Sequence, residues 1–272
     1  MTTHGSTLPA NDRTAPPGAP AAPAGVGSTR RGLLHWAAAL GGGTLLTACG
    51  SSTSPAAPAA APERPDRISD PEQALELLRA GNARFSAHPE QHTTHPAAHR
   101  LRIAEGQHPF AIVLSCADSR VPPELVFDQD LGDLFVVRTA GQVVAPPVLG
   151  SIQYGVEHLH VPLIVVLGHE SCGAVGATLE AVRTGSAPSG TAIDSLVEAI
   201  RPAAEQALAE TDADSGSEAD EAQHLAEAVR LNVAAEVAQL SADPLLAEAV
   251  DGGHLRVVGA TYDLHEGTVT FL

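Results

Sequence analysis

The chain has 272 residues, 44% of them hydrophobic and 17% charged, which provides the apolar material for one folded domain of ordinary size and too little length for several. All 15 basic residues are arginines, set against 32 acidic ones, and a formal net charge of −17 argues against binding nucleic acid or an anionic membrane surface through the globular part. The balance favours a soluble protein with a small or neutral substrate. Three cysteines are too few for a disulfide scaffold, so their positions carry the information.

Up to about residue 67 the chain is dominated by Ala, Pro, Gly, Ser and Thr, a composition that cannot bury enough apolar surface to offset the entropy lost on ordering. Within it, Thr29-Arg30-Arg31-Gly32-Leu33-Leu34 opens an apolar segment over 33–48, too short for a comfortable membrane span. The pattern resembles a twin-arginine (Tat) export signal, in which the arginine pair is read by a receptor. Leu46-Thr47-Ala48-Cys49 resembles a bacterial lipobox, in which cleavage before Cys49 would put lipid on its sulfur. A chance Arg-Arg in an Ala-rich tail is the plainer alternative, but pair, apolar run and cysteine occur in the order of an address. The expected organisation is therefore an export signal over 1–49 containing Trp36, a flexible tether over 50–67, and a folded domain over 68–272. The expected location is the cell envelope, with membrane contact only through a lipid on Cys49.

In the folded part, Asp70-Pro71-Glu72 predicts a helix start: an acidic N-cap, Pro at the first helical position and Glu in the first turn. Ala74, Leu75, Leu77 and Leu78 give a helical stripe that ends at Gly81. His88, His92, His95 and His99 follow in a stretch broken by Pro89 and Pro96, which reads as an exposed loop. Apolar runs at 110–114, 134–137, 163–167 and 255–260 read as strands buried on both faces. Residues 268–272 form a short alternating end strand after a turn at 263–267. Helices are predicted at 147–158, 193–209 and 222–240, with His158 and His160 near a helix end as cap or surface residues, one of them a possible proton shuttle. The acidic 211–223 stretch reads as a solvated loop. Strand and helix alternate, so the fold class is α/β, with a mainly parallel central sheet, flanking helices and an antiparallel edge strand.

Two polar clusters follow two of the predicted strands: Cys116-Ala117-Asp118-Ser119-Arg120, and Gly168-His169-Glu170-Ser171-Cys172-Gly173. Ligands of open parallel sheets bind outside the carboxyl ends of the strands, where both clusters would sit. Taken singly each has a bland explanation: a strand-end cysteine is often a small buried hydrophobe, and Asp-x-Arg is more often a surface ion pair. Jointly, two thiolates and one imidazole with a fourth position open are a recognised catalytic zinc set. Such a site lowers the pKa of water from ~15.7 to ~7. Asp118 would orient that water, and the forked Arg120 would hold the carboxylate.

These motifs, Cys116-Ala117-Asp118-Ser119-Arg120-Val121-Pro122-Pro123-Glu124 and Gly168-His169-Glu170-Ser171-Cys172-Gly173, resemble the two signatures of the β-class carbonic anhydrases. The likeness extends over residues 81–85, 132–138, 232–233 and 257–263, essentially the whole folded part. The resemblance implies one Zn²⁺ per chain on Cys116, His169 and Cys172, with Asp118 and Arg120 as the catalytic dyad. It further implies that Gln107 hydrogen-bonds substrate, that Phe135 and Tyr154 line the pocket, and that Gly173 lends a backbone N–H. The reaction implied is reversible hydration of carbon dioxide to bicarbonate and a proton, with water on the zinc. The pocket resembles ones assembled between two chains, implying a homodimer or a multiple of dimers. Thr139 and Gln142 depart from the family's pattern, in which Asn is frequent at both places. Rival readings keep the site but change its use: a carbon disulfide or carbonyl sulfide hydrolase, or a non-catalytic lipoprotein that binds zinc or bicarbonate. A metal-free Cys172–His169 thiol nucleophile would leave Cys116 unexplained.

Overall fold

A continuous apolar run becomes a strand when both of its faces can be covered, and the runs found in the sequence meet that condition to different degrees. The computed structural model of the chain describes residues 67–90, 97–210 and 217–272. Strands β1 (Ala111–Cys116), β2 (Leu134–Thr139), β3 (Leu163–His169) and β4 (Arg256–Tyr262) run parallel, and β5 (Val269–Phe271) pairs antiparallel with β4, in the order β2-β1-β3-β4-β5. The expected fold class holds. The reversal into β5 is built by Asp263, whose Oδ1 accepts the N–H groups of His265 at 2.7 Å and Glu266 at 2.8 Å.

Helices α1 (Pro71–Ala87), α2 (Ala97–Ile103), α3 (Pro123–Val126), α4 (Pro146–Glu157), α5 (Gly173–Thr184), α6 (Ile193–Glu210), α7 (Glu218–Ala242) and α8 (Pro244–Asp251) are distributed around this sheet. Side chains alternate across the strands. Val113, Val165, Leu167 and Ala260 pack with Leu75 and Leu78 of α1 on one face. Ile112, Leu114, Ile164 and Val166 meet Val148 and Ile152 of α4, Val233 of α7 and Leu246 of α8 on the other. A third apolar cluster joins α5, α6 and α7 through Val175, Ile200, Ala204 and Val229, and it includes Cys116 and Cys172.

Several expectations need correction. The strand over 134–137 is not buried on both faces: every residue of β2 is half-buried, because among the described residues β2 is an edge strand paired only with β1. Asp70 caps α1 as read, accepting from Glu72 N at 2.9 Å, but the helix runs past Gly81 to Ala87. Gly81 is there for close approach: a Cβ at this position would lie 1.8 Å from the Phe127 carbonyl oxygen. Beside it, buried Asn82 donates to Val126 O at 3.0 Å and Gly267 O at 2.9 Å and accepts from Val269 N at 2.8 Å, tying α1 to α3 and β5.

The acidic stretch is also not all loop. Residues 211–216 lie outside the described ones, but Ser217 and Asp220 form a capping box and 218–223 are the first turns of α7. Acidic residues suit that place, since a helix N-terminus carries a partial positive charge. Of the histidine row, His88 caps the end of α1 and His99 sits in α2, 2.9 Å from the Leu131 carbonyl; His92 and His95 lie outside the described residues, as does the whole stretch over 1–66 read as signal and tether. No helix among the described residues is long and apolar enough to cross a membrane.

Gly81→Ala is expected to cost about 1–3 kcal/mol, because the backbone oxygen it meets cannot give way. Gly176→Ala in α5, where the new methyl would meet nothing closer than Leu225 Cδ1 at 3.8 Å, should gain up to about 1 kcal/mol. Urea unfolding of the two variants beside the parent chain measures both.

Candidate metal centre

The strand order reverses direction at β1, which has β2 on one side and β3 on the other. Clefts at such a switch point, beyond the carboxyl ends of the strands, are where doubly wound sheets bind ligands. Cys116 is the last residue of β1 and His169 the last of β3. Cys172 follows a tight corner in which Ser171 takes a left-handed conformation (φ 54°), and it serves as the N-cap of α5. The three side chains are buried, and their ligand atoms all lie within 4.8 Å of one another.

The two sulfurs are 3.9 Å apart and form no disulfide. As free thiols they share a proton. The hydrogen bond from Cys172 holds Cys116 well below the usual thiol range, and that same bond together with burial pushes Cys172 up. The N–H of Gly141, itself left-handed at φ 71°, donates to Cys116 Sγ at 3.3 Å. The backbone N–H groups of Val175 and Ala174, at the start of α5, favour the thiolate of Cys172. His169 is anchored through Nδ1, 2.8 Å from the Glu170 carbonyl, while its fully buried Nε2 has no hydrogen-bond partner among the described residues.

A buried ring nitrogen without a partner costs free energy, and this one faces two sulfurs. The donor set of two thiolates and one imidazole, oriented from behind by a carbonyl on the far ring nitrogen, fits zinc. Cys116, His169 and Cys172 are the residues that would hold it.

Asp118 and Arg120 stand at the edge of this cluster. Arg120 grips Asp118 with both prongs, Nε to Oδ1 at 2.9 Å and Nη2 to Oδ2 at 2.7 Å, and its backbone N–H adds a third bond to Oδ1 at 2.9 Å. The guanidinium fork holds the Asp118 carboxyl well below the usual carboxylate range. Asp118 Oδ2 lies 3.9 Å from His169 Nε2, so the carboxylate faces the ligand atoms without joining them.

The remaining sequence-predicted residues are placed less centrally. Gly173 opens α5 and is exposed, so its N–H is one of the donors a helix start leaves free. Phe135 and Tyr154 touch each other, their ring centroids 6.3 Å apart, at the open β2 side, and Tyr154 also meets the His158 ring at 5.1 Å. Gln107 lies exposed in the turn before β1.

Sequence reasoning missed Arg138, whose Nε donates to Cys116 O at 2.9 Å and Nη2 to Asp118 O at 2.6 Å. An arginine inside the apolar β2 run was the available signal. It also missed Gly141, and Glu236 of α7, a buried carboxyl that accepts the Val144 N–H at 3.1 Å.

The chain matches the family described as "Carbonic anhydrase" over residues 111–269. It is 45% identical to "Carbonic anhydrase 2" of Mycobacterium tuberculosis over 198 residues, covering 73% of this chain and 91% of the relative. A carbonic anhydrase of Pseudomonas aeruginosa is 36% identical over 190 residues, 67% of this chain and 82% of the relative. Among solved structures, a tetrameric β-carbonic anhydrase of Sordaria macrospora superposes with a TM-score of 0.56 at 27% identity, over 74% of this chain and 95% of that one. The Coccomyxa β-carbonic anhydrase in complex with acetazolamide gives 0.55 at 28% identity, over 75% and 87%.

Burial raises the Glu236 carboxyl from 4.5 to about 7. The folded chain therefore binds this proton more tightly than the unfolded one, and stability should fall as pH rises from about 4.5 through 7, with the full cost present above 7. In Glu236→Gln, which keeps an acceptor for Val144, that part of the pH dependence should vanish, a difference of about 3 kcal/mol between pH 4 and 8. Urea titrations across this range check it.

Proposed function

The chain belongs to the carbonic anhydrase family, in its β class, and from that premise we propose how its own residues divide the work and where the protein operates. It catalyses the reversible hydration of carbon dioxide to bicarbonate and a proton, on zinc held by Cys116, His169 and Cys172. When bound there, zinc is a Lewis acid that lowers the pKa of water from ~15.7 to ~7, so that hydroxide is available at neutral pH.

The observation that carries the division of labour is the doubly bonded Asp118–Arg120 pair facing the ligand atoms. Held ionised and fixed in direction by Arg120, Asp118 accepts a hydrogen bond from the attacking oxygen and aims its lone pair at the carbon of CO₂. Arg120, tied also to the Ser171 carbonyl at 3.5 Å, keeps Asp118 from turning onto the metal and closing the site. The free N–H of Gly173 and the side chain of Gln107 position the substrate oxygens. Phe135 and Tyr154 keep the entry apolar, which suits CO₂ and disfavours retention of bicarbonate.

The working unit is a homodimer or a multiple of it. Tyr154 is 46% exposed and packs on half-buried Phe135 beside an edge of β2 that no strand among the described residues pairs, an apolar face that a second copy would cover. The same assembly would bring pocket residues together. The protein is exported through a Tat-like route, already folded, and anchored by lipid on Cys49, with no other membrane contact and no nucleic-acid partner. This reading rests on Arg30-Arg31, the apolar 33–48 run and Cys49.

Purified full-length chain should hydrate CO₂ rapidly in stopped-flow measurements and carry about one zinc per chain. Zinc without hydration would overturn the division of labour. Arg120→Ala should retain zinc and lose about 10- to 100-fold in kcat/KM; unchanged turnover would remove Arg120 from the mechanism. In fractionated cells the parent chain is expected with the membranes, Cys49→Ala in the soluble envelope fraction, and Arg30→Lys/Arg31→Lys in the cytoplasm.

A further inference from the structure

One polar side chain of α7, far from the metal in sequence, reaches the backbone that touches a metal ligand. We propose that Asn232 is a positioning residue for Cys116, acting through Gly141; the inference rests on the zinc reading above. Asn232 is 1% exposed. Its Nδ2 donates to the Gly141 carbonyl at 2.9 Å, and the Gly141 N–H in turn donates to Cys116 Sγ at 3.3 Å. The two bonds use opposite ends of one residue, in adjacent peptide planes joined at the Gly141 Cα, so holding the carbonyl narrows the φ and ψ with which the N–H can keep its aim at the sulfur.

Gly141 has little freedom to find that direction alone. It sits in a left-handed conformation, tethered to Asn232 and closely packed, with Ile200 Cδ1 2.6 Å and Ala174 Cβ 3.3 Å from where a Cβ would stand. Farther along the same segment α7 takes a second hold, Glu236 on the Val144 N–H at 3.1 Å. Residues 141–144 are therefore clamped from one side at both ends. The clamp is registered against the sheet by the next residue, Val233, which fills the space left by two glycines. A Cβ on Gly168 would lie 2.6 Å from Val233 Cγ2, and one on Gly259 2.8 Å from Val233 Cγ1. Gly168 immediately precedes His169, so a single turn of α7 sets the approach of two metal ligands, one through Asn232 and one through Val233.

The chemical effect follows from what an N–H does at a thiolate. It withdraws charge from the sulfur and fixes the direction of its lone pairs, which governs how firmly the sulfur grips a metal. Partners of this outer kind are worth about 10- to 100-fold in metal affinity.

The test uses full-length, zinc-loaded chain. Asn232→Asp keeps the shape and removes the donor, Asn232→Ala removes both, and Leu240→Ala truncates a fully buried residue of the same helix that makes no hydrogen bond to 141–144. Zinc transfer to excess chromophoric chelator should be about 10- to 100-fold faster in both Asn232 variants, and their cobalt(II) forms should show a displaced thiolate-to-metal charge-transfer band. Leu240→Ala should change neither. Parental release rates and spectra in the Asn232 variants, or the same changes in Leu240→Ala, would overturn the proposal. Were the parent chain to bind no zinc, the zinc reading itself would fall. Amide exchange of the Gly141 segment in the parent adds a readout that needs no variant: protection like that of β1 is expected, and exchange as fast as in the exposed 104–108 segment would sink the idea.

Discussion

Two sulfurs and an imidazole nitrogen are brought together inside the molecule, away from water, with no partner among the protein's own groups that satisfies all three. The sulfurs lie 3.9 Å apart, and His169 Nε2 has no hydrogen-bond partner among the described residues. Such a cluster is unfavourable by itself, since burying polar atoms without partners costs more than it returns. It persists because the ligands grow out of the stiffest parts of the fold. Cys116 and His169 end strands buried along their whole length, and Cys172 is fixed as the N-cap of a helix. A cation would answer the unpartnered nitrogen and take both sulfurs as ligands, and the surrounding backbone is already shaped for it.

The next layer of contacts reads as an extension of the same constraint. Arg138 spans from β2 to the carbonyls of Cys116 and Asp118, so it fixes the chain on which both the ligand and the orienting carboxylate sit. Arg120 fixes the carboxylate itself. Gly141 approaches the sulfur from a third side, and α7 approaches Gly141. Charge is handled as carefully as position: Arg120 balances Asp118 at the rim, while the helix start beside Cys172 offers N–H groups to a thiolate.

The sequence disclosed the parts of this arrangement that depend on composition. β1 and β3 were legible because unbroken apolar runs are needed where helices cover both faces, and the ligands were legible because each follows such a run within a few residues. β2 was legible as a strand but not as an edge, since Leu-Phe-Val-Val reads alike in either place; only the order of strands distinguishes them. Gly81 looked like a helix end because the carbonyl of Phe127, to which it yields space, is remote in the chain. The first turns of α7 looked like loop because acidic residues suit solvent and a helix start equally well. The site contacts of Arg138, Gly141 and Asn232 escaped for one reason: their partners, two backbone carbonyls and one sulfur, stand 22, 91 and 25 residues away. A polar residue inside an apolar run, as at Arg138, marks that some contact exists but not with what.

Cys116 and Cys172 are separated by 56 residues, and that interval has a thermodynamic meaning beyond chemistry. A metal gripping both sulfurs closes the chain into a ring, as a covalent cross-link would, and a ring of that length restrains the unfolded chain by about 4 kcal/mol. The ring also fastens the sheet, through the end of β1, to the α5–α6–α7 layer, through the start of α5. A chain emptied of metal loses this fastening where the two layers meet, and opens there more often. Proteases act on such openings, so the lifetime of the polypeptide is tied to whether the bridge between its two layers is filled.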